Sequence, residues 1–174
     1  RTLELLEITH RVVNDFGTDF EQQARLRATA RRRFARLTRR DNIQFDGLAR
    51  VSHVTDATDW RVELPFVVLT PDTEAEMAEL VQCCIGLGLT VIPRGGGTGY
   101  TGGAVPLERM SAVINTEKLE TLGSIEYLEA LPGRSGQHPP VPVVSTGAGV
   151  VTRRVSDLAQ ASGLVFAVDP TSQD

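Results

Sequence analysis

Apolar residues recur at helical spacing over the first forty positions. Leu26, Ala30, Phe34 and Leu37 fall at i, i+4, i+8 and i+11, one stripe of an amphipathic helix. Ala24, Ala28 and Ala35 add helix propensity, and Asp41-Asn42 supplies stop chemistry. Upstream, Leu3, Leu5, Leu6 and Val12-Val13 predict a separate helix over about residues 2–14. It closes near Gly17, where a left-handed backbone is cheap only for glycine.

From residue 62 strand and helix signals alternate. Pro65-Phe66-Val67-Val68-Leu69 is a short β-rich run. Thr73 with Glu76 makes a capping-box pair, opening a helix through Met77, Leu80, Val81, Cys84 and Ile85 to the glycines at 86 and 88. Further strands are predicted at 89–92, 112–114 and 141–144, and Pro142 puts the last of these at an edge or a strand start. A helix over 152–161, closed by Gly163, leads to a final strand at 164–166. Residues 131–140, rich in proline and glycine, read as a loop.

The chain has 174 residues, 41% apolar and 23% charged, the composition of an ordinary globular domain rather than of collagen, coiled coil or disorder. No apolar run approaches the ~20 residues of a membrane span, and no signal-peptide layout opens the chain. Two adjacent cysteines, Cys83 and Cys84, give neither a disulfide framework nor a zinc site. Their mid-helix setting among Val81 and Ile85 points to core packing. A reducing, cytoplasmic location is expected. The chain starts without methionine and stops inside a motif, so it reads as an excerpt.

Charge divides the chain. Residues 1–61 carry twelve Lys/Arg against nine Asp/Glu, +3, and residues 62–174 carry six against thirteen, −7. Eight arginines fall within 25–40. One reading docks this helix on nucleic acid or an acidic membrane surface, as a peripheral contact. The favoured reading is a solvated or acid-paired face, because no aromatics interleave the arginines as a single-strand platform requires. A third lets the extension dock on residues 62–174 through opposite charge.

The densest chemistry lies at Arg94-Gly95-Gly96-Gly97-Thr98-Gly99-Tyr100-Thr101-Gly102-Gly103, six glycines in ten positions immediately after a predicted strand. Without Cβ atoms, successive N–H groups can turn inward as a nest for phosphate oxygens, with Arg94, Thr98 and Thr101 adding charge and hydrogen bonds. A Walker A loop is excluded because no lysine follows. Gly97-x-Gly99-x-x-Gly102 matches the dinucleotide fingerprint, but Pro106 and the strand near Ala112 leave fewer than the ~10–12 residues of a crossover. Asp15-Phe16-Gly17 is a chance kinase-like triplet without a catalytic loop. His10, His53 and His138 are scattered, so they read as surface or satisfied histidines, and no metal site is expected.

Taken in order, Phe66-Val67-Val68-Leu69-Thr70-Pro71, Thr90-Val91-Ile92-Pro93-Arg94-Gly95-Gly96-Gly97-Thr98, Gly102-Gly103-Ala104, Val113-Ile114-Asn115-Thr116, Ser145-Thr146-Gly147-Ala148-Gly149-Val150 and Phe166-Ala167-Val168-Asp169-Pro170-Thr171-Ser172 resemble the N-terminal FAD-binding domain of FAD-linked oxidases. The resemblance is to the vanillyl-alcohol oxidase and p-cresol methylhydroxylase superfamily, in the branch of D-lactate dehydrogenases and glycolate oxidase FAD subunits.

It implies an α+β fold: a p-cresol methylhydroxylase-type FAD-binding domain over 62–174, truncated before its flavin-packing segment and cap domain, after an arginine-rich helical extension over 1–61. Residues 94–103 would wrap the FAD pyrophosphate through Arg94, Gly95, Gly96, Gly97, Thr98, Gly99, Thr101, Gly102 and Gly103, with Pro170, Thr171 and Ser172 near the flavin or ribityl chain. Relatives with covalent FAD place a histidine near the position of Thr98, so non-covalent FAD is implied. The intact enzyme would oxidise a 2-hydroxy acid, the flavin taking a hydride equivalent and an acceptor encoded elsewhere receiving the electrons. The base and the carboxylate-binding residues would lie in the missing C-terminal domains, so no residue here is assigned as catalytic. Trp60 is expected where the extension meets this domain. Tyr100 either covers the cofactor or faces solvent.

Overall fold

The computed structural model describes residues 1–129, 139–168 and 170–172; His138, Asp169 and most of the loop predicted over 131–140 lie outside them. Helix α1 (Thr2–Phe34) is followed by a 3₁₀ turn (Arg40–Asn42), β1 (Ile43–Gln44) and α2 (Gly47–Ser52). Next come β2 (Val67–Leu69), α3 (Glu74–Gly86), β3 (Thr90–Arg94), β4 (Ser111–Asn115), β5 (Leu122–Leu128), β6 (Val141–Thr146) and α4 (Thr152–Ala161). No helix among the described residues is long and apolar enough to cross a membrane.

The first sheet has the order β1-β2-β4-β3, with β2, β4 and β3 parallel and β1 antiparallel on the edge. Strands β2 and β4 are buried along their whole length, as expected for parallel strands covered on both faces. On one face Val67, Leu69, Ala112 and Ile114 pack with Leu80 and Cys84 of α3 and with Ala30, Phe34 and Phe45. On the other face, Val68, Ile92 and Val113 form a smaller cluster. Residues of the N-terminal segment therefore complete the core, and burying Phe34 alone contributes roughly 1.5–3 kcal/mol. The second sheet pairs β5 and β6 antiparallel, and Pro142 sits opposite Tyr127 in that two-stranded ribbon.

Three expectations are corrected. Helix α1 does not break at Gly17: its interior glycine costs only about 1 kcal/mol, and 33 residues of otherwise helix-compatible sequence outweigh it. Residues 164–166 follow the turn at Gly163 as irregular chain, not as a strand, and no strand among the described residues pairs with them. Strands β3 and β4 are parallel neighbours after all, because the whole glycine-containing segment 95–110 serves as an irregular crossover in place of a helix.

Helix α1 carries one apolar stripe from end to end. Its C-terminal part, through Leu26, Ala30 and Phe34, packs on the core. The continuation of that stripe through Leu5, Val12, Phe16 and Phe20 is exposed, Phe16 by 71%. Several arginines of 25–40 have partners in this chain. Arg25 pairs with Glu21, Arg27 and Arg31 lie over the Phe45 ring, and Arg39 binds Asp72.

Thr73 caps α3 by accepting from the Glu76 N–H at 3.1 Å, but the box is not reciprocal. The Glu76 carboxylate instead accepts from the Asp72 N–H (3.0 Å) and the Thr38 hydroxyl (2.8 Å), joining α3 to the segment after α1.

Candidate functional site

Parallel strands deliver their carboxyl ends to one edge of the sheet, where open α/β folds place ligands. Arg94 ends β3 and Asn115 ends β4, in register as neighbours. Thr116 then fastens three segments: its N–H donates to Arg94 O (2.9 Å) and its hydroxyl to Ala148 O (3.1 Å). The turn 147–149 reaches this point because positions 147 and 149 are glycine. A β-carbon on Gly149 would sit 2.3 Å from Thr116 O, and one on Gly147 would sit 2.1 Å from Leu119 O. The first sheet meets the second here.

A cavity of about 440 Å³ opens at this junction, within the size range of ligand pockets. Arg94, Gly95, Gly96 and Thr98 form one wall, Ala148 to Thr152 another, and Ser172 closes part of the rim. A neighbouring cavity of about 270 Å³ is lined by Thr98, Tyr100, Pro170, Thr171 and Ser172, so Thr98 and Ser172 border both. The N-terminus of α4 contributes Val151 and Thr152 to the larger cavity, and no side chain caps it. Its first-turn N–H groups and positive dipole end favour an anion at that end of the cavity, while the Glu117 and Glu120 carboxylates on the lining oppose one.

Among the described residues, none of the nine consecutive N–H groups from 95 to 103 donates a hydrogen bond to the chain. Gly95 and Gly96 are exposed on the cavity wall. Gly97 adopts φ +68, a left-handed backbone that favours glycine, and the Arg94 guanidinium lies against it, 2.2 Å from where a β-carbon would sit. The residues present thus fit a diphosphate: a run of unpaired amide donors beside a concavity, with a helix N-terminus opposite.

The other expected site residues stand behind this surface. Gly99, Thr101, Gly102 and Gly103 do not line the larger cavity. Gly99 O accepts from the Ala57 N–H at 3.2 Å, and Gly102 lies against the Trp60 ring. Arg94 Nη1 donates to Thr55 O at 2.6 Å. Burial pulls the Arg94 guanidinium below its ordinary pKa, an effect the nearby Asp56 charge opposes. Asp56 Oδ1 accepts from the Thr58 hydroxyl (2.6 Å) and N–H (2.9 Å), which hold this carboxyl below its usual range.

Sequence reasoning did not assign His53, Asn115, Glu117 and Glu120 to the site, yet all four line the larger cavity. His53 Nδ1 contacts Ala49 O at 2.7 Å and its Nε2 contacts Asn115 Nδ2 at 3.1 Å. Asn115 Oδ1 accepts from the Glu117 N–H, which turns the amide nitrogen toward His53. The ring is therefore the Nδ1–H tautomer, with Nε2 as acceptor. The signal for Asn115 was its place directly after the apolar run Ala112-Val113-Ile114, whereas nothing local marked His53. Tyr100 is 67% exposed at the second cavity. Among the described residues no group of His, Cys, Asp and Glu could hold a metal.

A mixed sheet with helices and a short antiparallel ribbon meet at a cleft bordered by Gly95, Gly96 and Thr98 and by the first turn of α4. The family model described as FAD binding domain matches residues 65–174, and the chain belongs to that family. A D-lactate dehydrogenase of Archaeoglobus fulgidus is 32% identical over 108 residues, covering 62% of this chain and 21% of that protein. Three solved structures share the fold. Alkyldihydroxyacetonephosphate synthase has a TM-score of 0.61 at 18% identity, covering 82% of this chain and 28% of its own. For p-cresol methylhydroxylase with substrate bound the values are 0.58, 19%, 79% and 25%. For 4-ethylphenol oxidase from Gulosibacter chungangensis they are 0.61, 16%, 84% and 27%. The chain spans between a fifth and a third of the length of these relatives. It is an FAD-binding domain with the fold of these structures, preceded by a helical N-terminal extension.

Proposed function

We propose that this chain binds FAD without a covalent bond and serves an enzyme that oxidises a 2-hydroxy acid of the D-lactate or glycolate type. The observation that carries the reading is the run of N–H groups at 95–103 that donate to nothing among the described residues, beside a cavity bordered by Gly95, Gly96 and Thr98. Those amides and the first turn of α4 hold the diphosphate, and Pro170 to Ser172 close over the adjoining part of the cofactor. When bound, FAD supplies the two-electron redox chemistry. The chain's own residues bind and orient it. By the family resemblance, relatives with covalent FAD place a histidine near the position of Thr98, and a threonine there supports non-covalent attachment. The likeness to a D-lactate dehydrogenase supports the substrate class. Substrate binding, proton removal and electron exit belong to further domains of the same enzyme.

Purified full-length protein is expected to show the absorbance of oxidised flavin near roughly 450 nm. Acid precipitation should release that flavin to the supernatant, and D-lactate or glycolate should bleach it anaerobically. A protein that neither carries nor takes up flavin overturns the FAD assignment. Flavin that remains in the pellet overturns non-covalent attachment, and flavin indifferent to every 2-hydroxy acid overturns the substrate class.

A further inference from the structure

The glycine loop is nearly devoid of internal hydrogen bonds, yet it must present its amides in one shape. Among the described residues its internal backbone bonding reduces to the Val105 N–H donating to Gly102 O. A glycine-rich segment left to itself would lose much conformational entropy on binding a ligand, and affinity would fall accordingly. Something outside the loop has to hold it.

We propose that residues 53–60, which precede the matched family region, are a brace that fixes the shape of the glycine loop, and that Arg94 is part of this brace rather than a phosphate ligand. The inference rests on the reading of the loop as an FAD cradle. The two segments run side by side in the same direction, touching at successive points. Thr55 O accepts from Arg94 Nη1, the Ala57 N–H donates to Gly99 O, and the Trp60 ring abuts Gly102. A β-carbon on Gly102 would sit 3.0 Å from Trp60 Cε3, so ring and backbone are in close contact.

The brace is itself held. The Thr55 hydroxyl donates to Thr58 O at 3.0 Å, and Asp56 Oδ1 gathers the hydroxyl and N–H of Thr58. His53 anchors the upstream end to Ala49 O in α2 and, through Asn115, to the end of β4. The Arg94 guanidinium lies under Gly97, bonded to Thr55 O, with the Asp56 charge nearby; Asp56 Oδ2 is buried without a hydrogen-bond partner. That guanidinium is thereby committed to the brace. The charge that draws the diphosphate comes from the amides and from α4.

Trp60→Ala, Trp60→Phe and Arg94→Met in the full-length protein test this by two readouts: FAD affinity from flavin fluorescence, and hydrogen exchange without ligand of the Ala57 and Val105 amides, which donate to the loop carbonyls of Gly99 and Gly102. Trp60→Ala is expected to weaken FAD binding about tenfold and to speed exchange of the Ala57 and Val105 amides by a similar factor, leaving amides 112–115 unchanged. Trp60→Phe should restore both. Arg94→Met should weaken binding without altering how affinity falls with added salt, because a strut contributes no charge at the ligand. Unchanged exchange in Trp60→Ala overturns the brace whatever FAD does. A flatter salt dependence in Arg94→Met returns Arg94 to the phosphate site. If wild type takes up no FAD while Trp60→Ala still loosens the loop, the cofactor assignment fails and the brace stands.

Discussion

Arg39 grips Asp72 with two hydrogen bonds of 2.7 Å, Nε to Oδ2 and Nη2 to Oδ1. Asn42 Nδ2 adds a third contact at 2.9 Å, and Lys118 Nζ lies 3.5 Å from the same carboxylate. Lys118 also donates to Asn42 Oδ1 at 2.6 Å. One carboxylate thus collects the segment after α1, the turn before α3 and the segment after β4. The opposite charges of the two halves of the chain meet here as one specific network.

The Asp72 carboxyl is held down at about 2, first by the Arg39 hydrogen bond and then by Asn42. Its ordinary value is about 3.9, so its contribution to stability is complete above that value and is lost as pH falls toward 2. Unfolding midpoints measured between pH 7 and pH 2 should drop in wild type over the acid end of that range. Asp72→Asn should be less stable at neutral pH and should show a shallower acid decline. Parallel curves for the two proteins would show that Asp72 is not linked to folding.

Gly17 stands in open space on α1, with nothing within 4 Å of an added β-carbon. Replacing it by alanine should raise helical circular dichroism and stabilise the protein by up to about 1 kcal/mol. No gain in helicity would mean that α1 is interrupted there in solution.

The elements with strong local signals were legible in the sequence. Thr73 opens α3, the apolar runs mark β2 and β4, and Gly163 (φ +72) closes α4. Gly17 misled because a single glycine was weighted above the propensity on either side of it. Strand β5 escaped because it lies in a two-stranded ribbon, mostly half-buried or exposed, and lacks clean alternation. Helix α2 did carry a readable signal in Asp46, whose carboxylate accepts from the Ala49 N–H at 2.9 Å. The glycine loop announced its chemistry by composition. Its support by Thr55, Ala57 and Trp60 depends on distant main-chain contacts that no local pattern encodes.

Glycines of one sequence class should respond very differently to alanine. Gly149→Ala drives a β-carbon into Thr116 O and Glu117 O, main-chain atoms that cannot swing aside, and should cost about 1–3 kcal/mol or more. Gly99→Ala meets nothing within 4 Å and has no positive φ, so its unfolding midpoint should stay near wild type. Equal denaturation curves for the two variants would mean that the turn 147–149 is not packed against residues 116–117.

Burial pushes the Cys84 thiol up to about 12, and that of Cys83 is raised by the same cause. Since the thiolate is the reactive form, Cys84 should resist alkylation at neutral pH until the protein unfolds, while Cys83, only partly buried, should react slowly. Mass spectrometry of iodoacetamide-treated native protein checks this, and rapid labelling of Cys84 would contradict its place in the core.

The placement of the brace and of β1 matters for anyone who trims this protein. A gene fragment starting at residue 65 keeps every glycine of the loop and loses Thr55, Ala57 and Trp60. It also strips Phe34 and Phe45 from the sheet and leaves β2 as a bare edge, an invitation to aggregation. Recognisable sequence begins at 65, but the core it packs around draws on Ala30 and Phe34 of α1 and on Phe45.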